Sequence, residues 1–164
     1  MFINQIQQLV RQINDIISQL TDDEYSRPLN VFNGSSIGQH TRHVIEFFAE
    51  LEQGYQNGLI NYDNRKRNKK LETDKQFALD LLNEFTSACD KEDKHLQLSV
   101  DLQHSPTMGM IATTYYRELA FAVEHTVHHM AFLRIGIEQV KNIAVPTDFG
   151  ISASTQRYRS SCAQ

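Results

Sequence analysis

Cysteine is scarce in this chain: of its 164 residues only Cys89, in an apolar stretch, and Cys162, near the end, are thiols. Two isolated thiols exclude a disulfide-built scaffold and suit a reducing compartment, so a cytoplasmic location is expected. Long apolar runs are lacking too. None approaches the roughly 20 residues that span a bilayer, so no membrane partner is expected. Met1-Phe2-Ile3-Asn4-Gln5 has no basic segment leading into an apolar core, so a secretory signal is not expected either. Charge of one sign is also missing. The net charge is −4 and neither half of the chain is strongly acidic or basic. Phosphate backbones need a concentrated basic surface, which removes nucleic acid from the expected partners.

What is present fits one globular unit. A composition 40% hydrophobic and 22% charged is ordinary for a soluble domain. The length allows one proper core, so residues 1–164 are expected to form a single domain.

Helical spacing dominates. Ile3, Ile6, Val10, Ile13, Ile17 and Leu20 recur every three or four residues, predicting a first helix from about Ile3 to Leu20. Thr21-Asp22-Asp23-Glu24 can cap a short extra turn with Tyr25 facing inward, and Arg27 to Ser35 has turn chemistry. Ser35 or Ser36 opens a second helix with the stripe Ile37, His40, Val44, Phe47, Leu51 and Tyr55, which Gly58 stops. The polar connection from Ile60 to Lys70 reads as a solvated loop on charge pattern. Thr73 and Gln76 form an expected capping box for a third helix carrying Phe77, Leu81, Leu82, Phe85 and Cys89. Leu96, Leu98, Val100 and Leu102 then alternate with polar residues, the period of a strand, and Met108-Gly109-Met110-Ile111 either pairs back as a hairpin or crosses over. A fourth long helix is predicted from Thr113 or Thr114 to about Val140, with Glu118, Phe121, Ala122, His125, His129, Phe132 and Gly136 inward. The tail after Pro146 is small and polar around two apolar anchors, and is expected to pack over one end. The fold class this implies is all-α, a four-helix bundle, with a short hairpin or crossover before the last long helix.

Histidine carries the chemical information. Five of the seven fall in two short helical segments: His40 and His43, then His125, His128 and His129. Residues four apart on a helix point within about 40° of each other, so His125 and His129 project side by side and can share one metal ion. Two ligands on one helix rarely complete a site. A third imidazole from the second helix would give three nitrogens and an open position, and spacing alone leaves His40 and His43 equally eligible. The competing reading is a set of hydrogen-bonded core histidines. Burying imidazoles without partners costs about 1–3 kcal/mol each, which metal ligation removes. A zinc protease of the H-E-x-x-H type is excluded, because Thr126 occupies the place of its glutamate. Glu118 and Glu46 are candidate acceptors for the second nitrogens of ligating histidines. Tyr62 with Arg65, Lys66 and Arg67 could border the mouth and hold a substrate carboxylate.

With these residues in view, the chain resembles the DinB-like superfamily of bacterial four-helix-bundle proteins, which includes YfiT-type hydrolases and mycothiol-dependent isomerases. Members start the second helix with serine-isoleucine-glycine and place a histidine seven residues after the serine, as Ser36-Ile37-Gly38 and His43 do here. They also carry H-x-x-x-H, often with a doubled histidine, on the last long helix, matching His125, His128 and His129. Asn61-Tyr62-Asp63-Asn64-Arg65-Lys66-Arg67, Arg117-Glu118-Leu119 and the tail at Phe149-Gly150 are similar to one subgroup. The chain departs from the pattern after the last histidine, where Met130-Ala131-Phe132 replaces an arginine-glycine-glutamine found in many members.

The resemblance selects His43, His125 and His129 as ligands of one divalent ion, nickel or zinc, and leaves His40 and His128 as neighbours. It implies a homodimer acting on a small molecule, either by transfer involving a low-molecular-weight thiol or by hydrolysis. A different class of function stays open: a metal-binding or stress-response bundle that acts as a binding module without turnover. A fourth protein ligand such as His40 or His128 would favour that second class by closing the coordination shell.

Overall fold

A computed structural model describes residues 2–101 and 109–162 of the chain. Helices dominate, and a small three-stranded sheet accompanies them. Helix α1 spans Phe2–Ile17 and buries Ile6, Val10, Ile13, Ile16 and Ile17. It stops earlier than its apolar stripe suggests, because the backbone tightens to i→i+3 bonds: Leu20 N–H donates to Ile17 O at 3.0 Å. Leu20 is nevertheless buried. The short helix α2, Asp22–Ser26, is held by the expected capping box, with Thr21 and Glu24 each accepting from the other's backbone N–H, and Tyr25 points inward.

Helix α3, Ile37–Asn57, starts at Ser36, whose hydroxyl accepts from Gln39 N–H at 3.1 Å. It ends at Gly58, which adopts φ 81°, a left-handed conformation that costs glycine nothing. Its buried line runs through Ile37, Thr41, Val44, Ile45, Phe48 and Leu51, so His40 and His43 lie beside the core face and not in its centre. Strand β1, Leu59–Ile60, follows at once and pairs in parallel with β2, His95–Val100. β2 pairs antiparallel with β3, Gly109–Thr114, from His95 opposite Thr114 to Val100 opposite Gly109. This is the hairpin option of the alternating segment; Leu102 and Met108 lie outside the described residues. The sheet makes a purely all-α description incomplete.

Two local expectations are corrected. The connection after Ile60 is not a solvated loop throughout: Ile60 and Tyr62 are buried, while Lys66 and Arg67 are exposed. Carboxylates of α3 hold its backbone down, Glu50 accepting from Asn61 N–H at 2.8 Å and Glu46 from Asn68 N–H at 2.9 Å. Helix α4, Lys75–Ala88, is capped by Asp74, which accepts from Phe77 N–H, and not by a box of Thr73 and Gln76. Thr73 donates to Lys70 O and Gln76 to Asp80 instead.

β3 runs directly into Thr114, the N-cap of α5, Tyr115–Val140. Both α3 and α1 pack against α4 and α5. Phe121 and Phe132, expected inside, lie at the solvent boundary of α5. The tail returns to the same helix: Phe149 is fully buried, and Gly150 (φ 71°) lies so close that a Cβ there would sit 2.5 Å from Ala131 N. Arg134 fastens this hook through the carbonyls of Phe149 and Pro146. A last helix, α6, Ala153–Cys162, buries none of its residues. No helix among the described residues is long and apolar enough to cross a membrane.

Candidate metal centre

The seam between α3 and α5 brings one histidine of the first helix onto two of the second. Nitrogens of His43, His125 and His129 all lie within 4.8 Å of one another. The ring centroids are 5.0 Å apart for His43 and His125, 4.5 Å for His43 and His129, and 4.6 Å for His125 and His129. An ion with metal–nitrogen bonds of about 2.0–2.1 Å in tetrahedral geometry holds such nitrogens roughly 3.3 Å apart, a short closure from this spacing. His40 and His128 are not part of the group, among the described residues.

Burial sets the protonation of the three rings. Loss of solvent is the main cause that lowers all three pKa values from the ordinary 6.5, His43 and His129 to about 3 and His125 to about 4. Neighbouring charge adds to it: Arg65 beside His43, His128 beside His125, and His43 beside His129. At neutral pH all three are therefore uncharged imidazoles, the form that binds a cation.

The chain's residues fit a divalent ion on one specific observation. His125 Nε2 is buried and has no hydrogen-bond partner among the described residues. Leaving a polar nitrogen in that state costs about 1–3 kcal/mol, which a ligand would return. The other two rings are spoken for on one side only. His129 Nδ1 lies 3.2 Å from His40 Nδ1, and His43 Nδ1 lies 2.7 Å from Arg65 Nη2.

The carboxylates stand elsewhere than the sequence suggested. Glu46 is buried and reaches His43 only through Arg65, whose Nε lies 3.3 Å from Glu46 Oε2. Arg42 bridges Glu46 and Glu72, so two cations and two anions form a closed network behind His43. Glu118 is fully buried and hydrogen-bonds no histidine among the described residues: it accepts from Tyr62 Oη at 3.1 Å, Thr113 Oγ1 at 2.6 Å and Arg117 Nη1 at 2.8 Å. Burial and this carboxylate push the Tyr62 phenol far above its ordinary range, so it stays protonated and donates. Thr126 spends its hydroxyl on Ala122 O and offers the site nothing.

Aromatic side chains wall the cluster, and of these only Tyr62 is expected at its border from the sequence. Phe47 stacks on His125 at 4.1 Å between centroids, and Tyr62 stacks on the Phe47 ring at 4.6 Å. Phe121 approaches His125 at 5.6 Å, and Phe132 stacks on His40 at 5.2 Å. Of the basic residues expected at the mouth, Arg65 is 11% exposed and sits over the Phe47 ring, whereas Lys66 and Arg67 extend into solvent. For Phe47, Phe121 and Phe132 the sequence signal is their spacing, three or four residues from His43, His125 or His129. No protein-family model, no curated protein and no solved structure matches this chain.

Proposed function

We propose that the protein is a metal-dependent enzyme of the DinB-like type, a four-helix bundle whose His43, His125 and His129 hold one nickel or zinc ion. The observation that carries this reading is the buried, partnerless Nε2 of His125, set among two further imidazoles kept neutral by burial. The mutual packing of α1, α3, α4 and α5 supports the bundle. A bound ion supplies Lewis acidity that activates a thiol or a water. Around it, the chain's own groups do the rest. Phe47, stacked on His125, keeps water from one face of that ring, and Arg65, held by Glu46, donates to His43 Nδ1, a bond that must give way before His43 Nε2 can ligate. Three protein ligands leave a position for substrate, which suits transfer involving a low-molecular-weight thiol or hydrolysis of a small molecule.

A second reading, a binding module without turnover, has its own support: among the described residues no carboxylate hydrogen-bonds any of the three histidines, so no general base of that kind adjoins the site. Thiol-exchange and ester-hydrolysis assays on metal-loaded protein separate the two. Turnover that disappears in His43→Ala and His129→Ala supports the enzyme. Full metal occupancy with no turnover for any thiol donor or ester favours the binding module.

A further inference from the structure

His40 is three residues before His43 and outside the three-histidine group, yet it touches that group more closely than any carboxylate does. Its Nδ1 lies 3.2 Å from Nδ1 of His129, close enough for one ring to donate to the other. A neutral imidazole carries a single N–H, so the direction of this bond decides which nitrogen of His129 keeps a lone pair. If His129 donates, its Nε2 is free to bind a cation; if it accepts, Nε2 carries the proton and is lost as a ligand.

The surroundings hold His40 in one pose. Phe132 stacks on it with ring planes 8° apart and centroids 5.2 Å apart, and Phe32 meets it edge-on at 4.5 Å. Phe32 in turn needs Gly136, where a Cβ would lie 2.5 Å from the phenyl ring. Gly136, Phe32 and Phe132 thus clamp an imidazole that, among the described residues, hydrogen-bonds His129 alone. Such a clamp is more than packing requires, since a phenyl ring would fill the same space without a polar atom.

We infer that His40 is a positioning residue: its Nδ1 accepts the Nδ1–H of His129, which fixes the His129 tautomer and presents Nε2 as the ligand nitrogen. This rests on the proposed metal reading for its purpose, though the hydrogen bond itself does not. Metal-binding histidines gain orientation and basicity from such an acceptor, and losing it lowers affinity by about 10–100-fold. Here the acceptor is another imidazole, where a carboxylate or carbonyl is the usual choice.

Two substitutions separate the nitrogen from the ring. His40→Phe keeps the aromatic packing and removes the acceptor; His40→Asn loses the ring and keeps an acceptor near the Nδ1 position. Zinc and nickel, each alone, are titrated into chelator-stripped protein in competition with a chromophoric chelator. His40→Phe is expected to weaken binding by about 10–100-fold, and His40→Asn to recover most of that loss. Wild-type affinity in His40→Phe overturns the inference, as does a loss in His40→Asn as large as in His40→Phe. Ring 15N chemical shifts of His129 in the stripped protein give a second readout that needs no metal. A proton on Nδ1 in the wild type that leaves it in His40→Phe supports the inference; a wild-type proton on Nε2 overturns it. A wild-type chain that binds no metal yet shows the Nδ1 proton would remove the metal reading and leave the His40 bond standing.

Discussion

Two buried polar clusters lie along α5, two helical turns apart, and they are built on opposite principles. Around Glu118 every polar atom has a partner: the carboxylate takes hydrogen bonds from Tyr62 and Thr113 and an ion pair from Arg117. Around His125 the described residues leave Nε2 buried without a partner. Saturation of the first kind holds β3, the connection after β1 and the start of α5 together. A deficit of the second kind costs about 1–3 kcal/mol unless a ligand or a water takes up the nitrogen.

Substitution should expose the contrast. The largest effect falls on metal affinity: His43→Ala, His125→Ala and His129→Ala should each weaken zinc binding by more than about 100-fold, beyond the usual loss of an outer partner. His125→Leu should also leave the metal-stripped protein as stable as the wild type or more so in urea denaturation, since it removes an unsatisfied nitrogen. Glu118→Ala should do the reverse. It strands the Tyr62 and Thr113 hydroxyls and is expected to cost about 2–3 kcal/mol of stability, with metal affinity unchanged. Loss of metal in Glu118→Ala at a temperature where it remains folded would erase the distinction.

Acid should find the histidine cluster next. The folded rings resist protonation down to about pH 3–4, whereas the unfolded chain titrates at its ordinary value of 6.5. Above that value the two states bind equal numbers of protons and the cluster adds no pH dependence. Below it the unfolded chain gains protons that the folded one cannot, so stability falls from about pH 6.5 downward until the folded rings titrate as well. Urea midpoints measured across this window should fall less steeply in His43→Phe than in the wild type.

The smallest expected effect concerns Arg65. A guanidinium only donates, so its bond to His43 Nδ1 opposes the tautomer that would ligate through Nε2, and its charge repels a dication nearby. Arg65→Met should therefore tighten zinc binding by up to about tenfold, at some cost in stability from the stranded Glu46. Weaker binding would mean that the ion pair of Arg65 and Glu46 holds His43 in place for the metal.

What the sequence made legible follows from where each signal resides. Ser36 and Gly58 bound α3 because capping and left-handed turns depend on a single residue, and Thr21 with Glu24 worked for the same reason. The pair His125 and His129 followed from helical spacing alone. Choosing between His40 and His43 did not, since residues three apart share one side of a helix and only the approach of α5 separates them; the structure groups His43 with the pair and sets His40 behind His129. The burial of Tyr62 and Arg65 was invisible in a run of charge, because Glu46 and Glu50, a helix away in sequence, pull that connection inward. The surface helix α6 left no periodic trace because it buries nothing.

The most direct test of the histidine cluster is the metal content of tag-free protein after dialysis against buffered zinc or nickel. One ion per chain in the wild type, with none retained by His125→Ala, is the expected result. A wild-type chain that holds no ion, or a His125→Ala chain that holds as much, would contradict it.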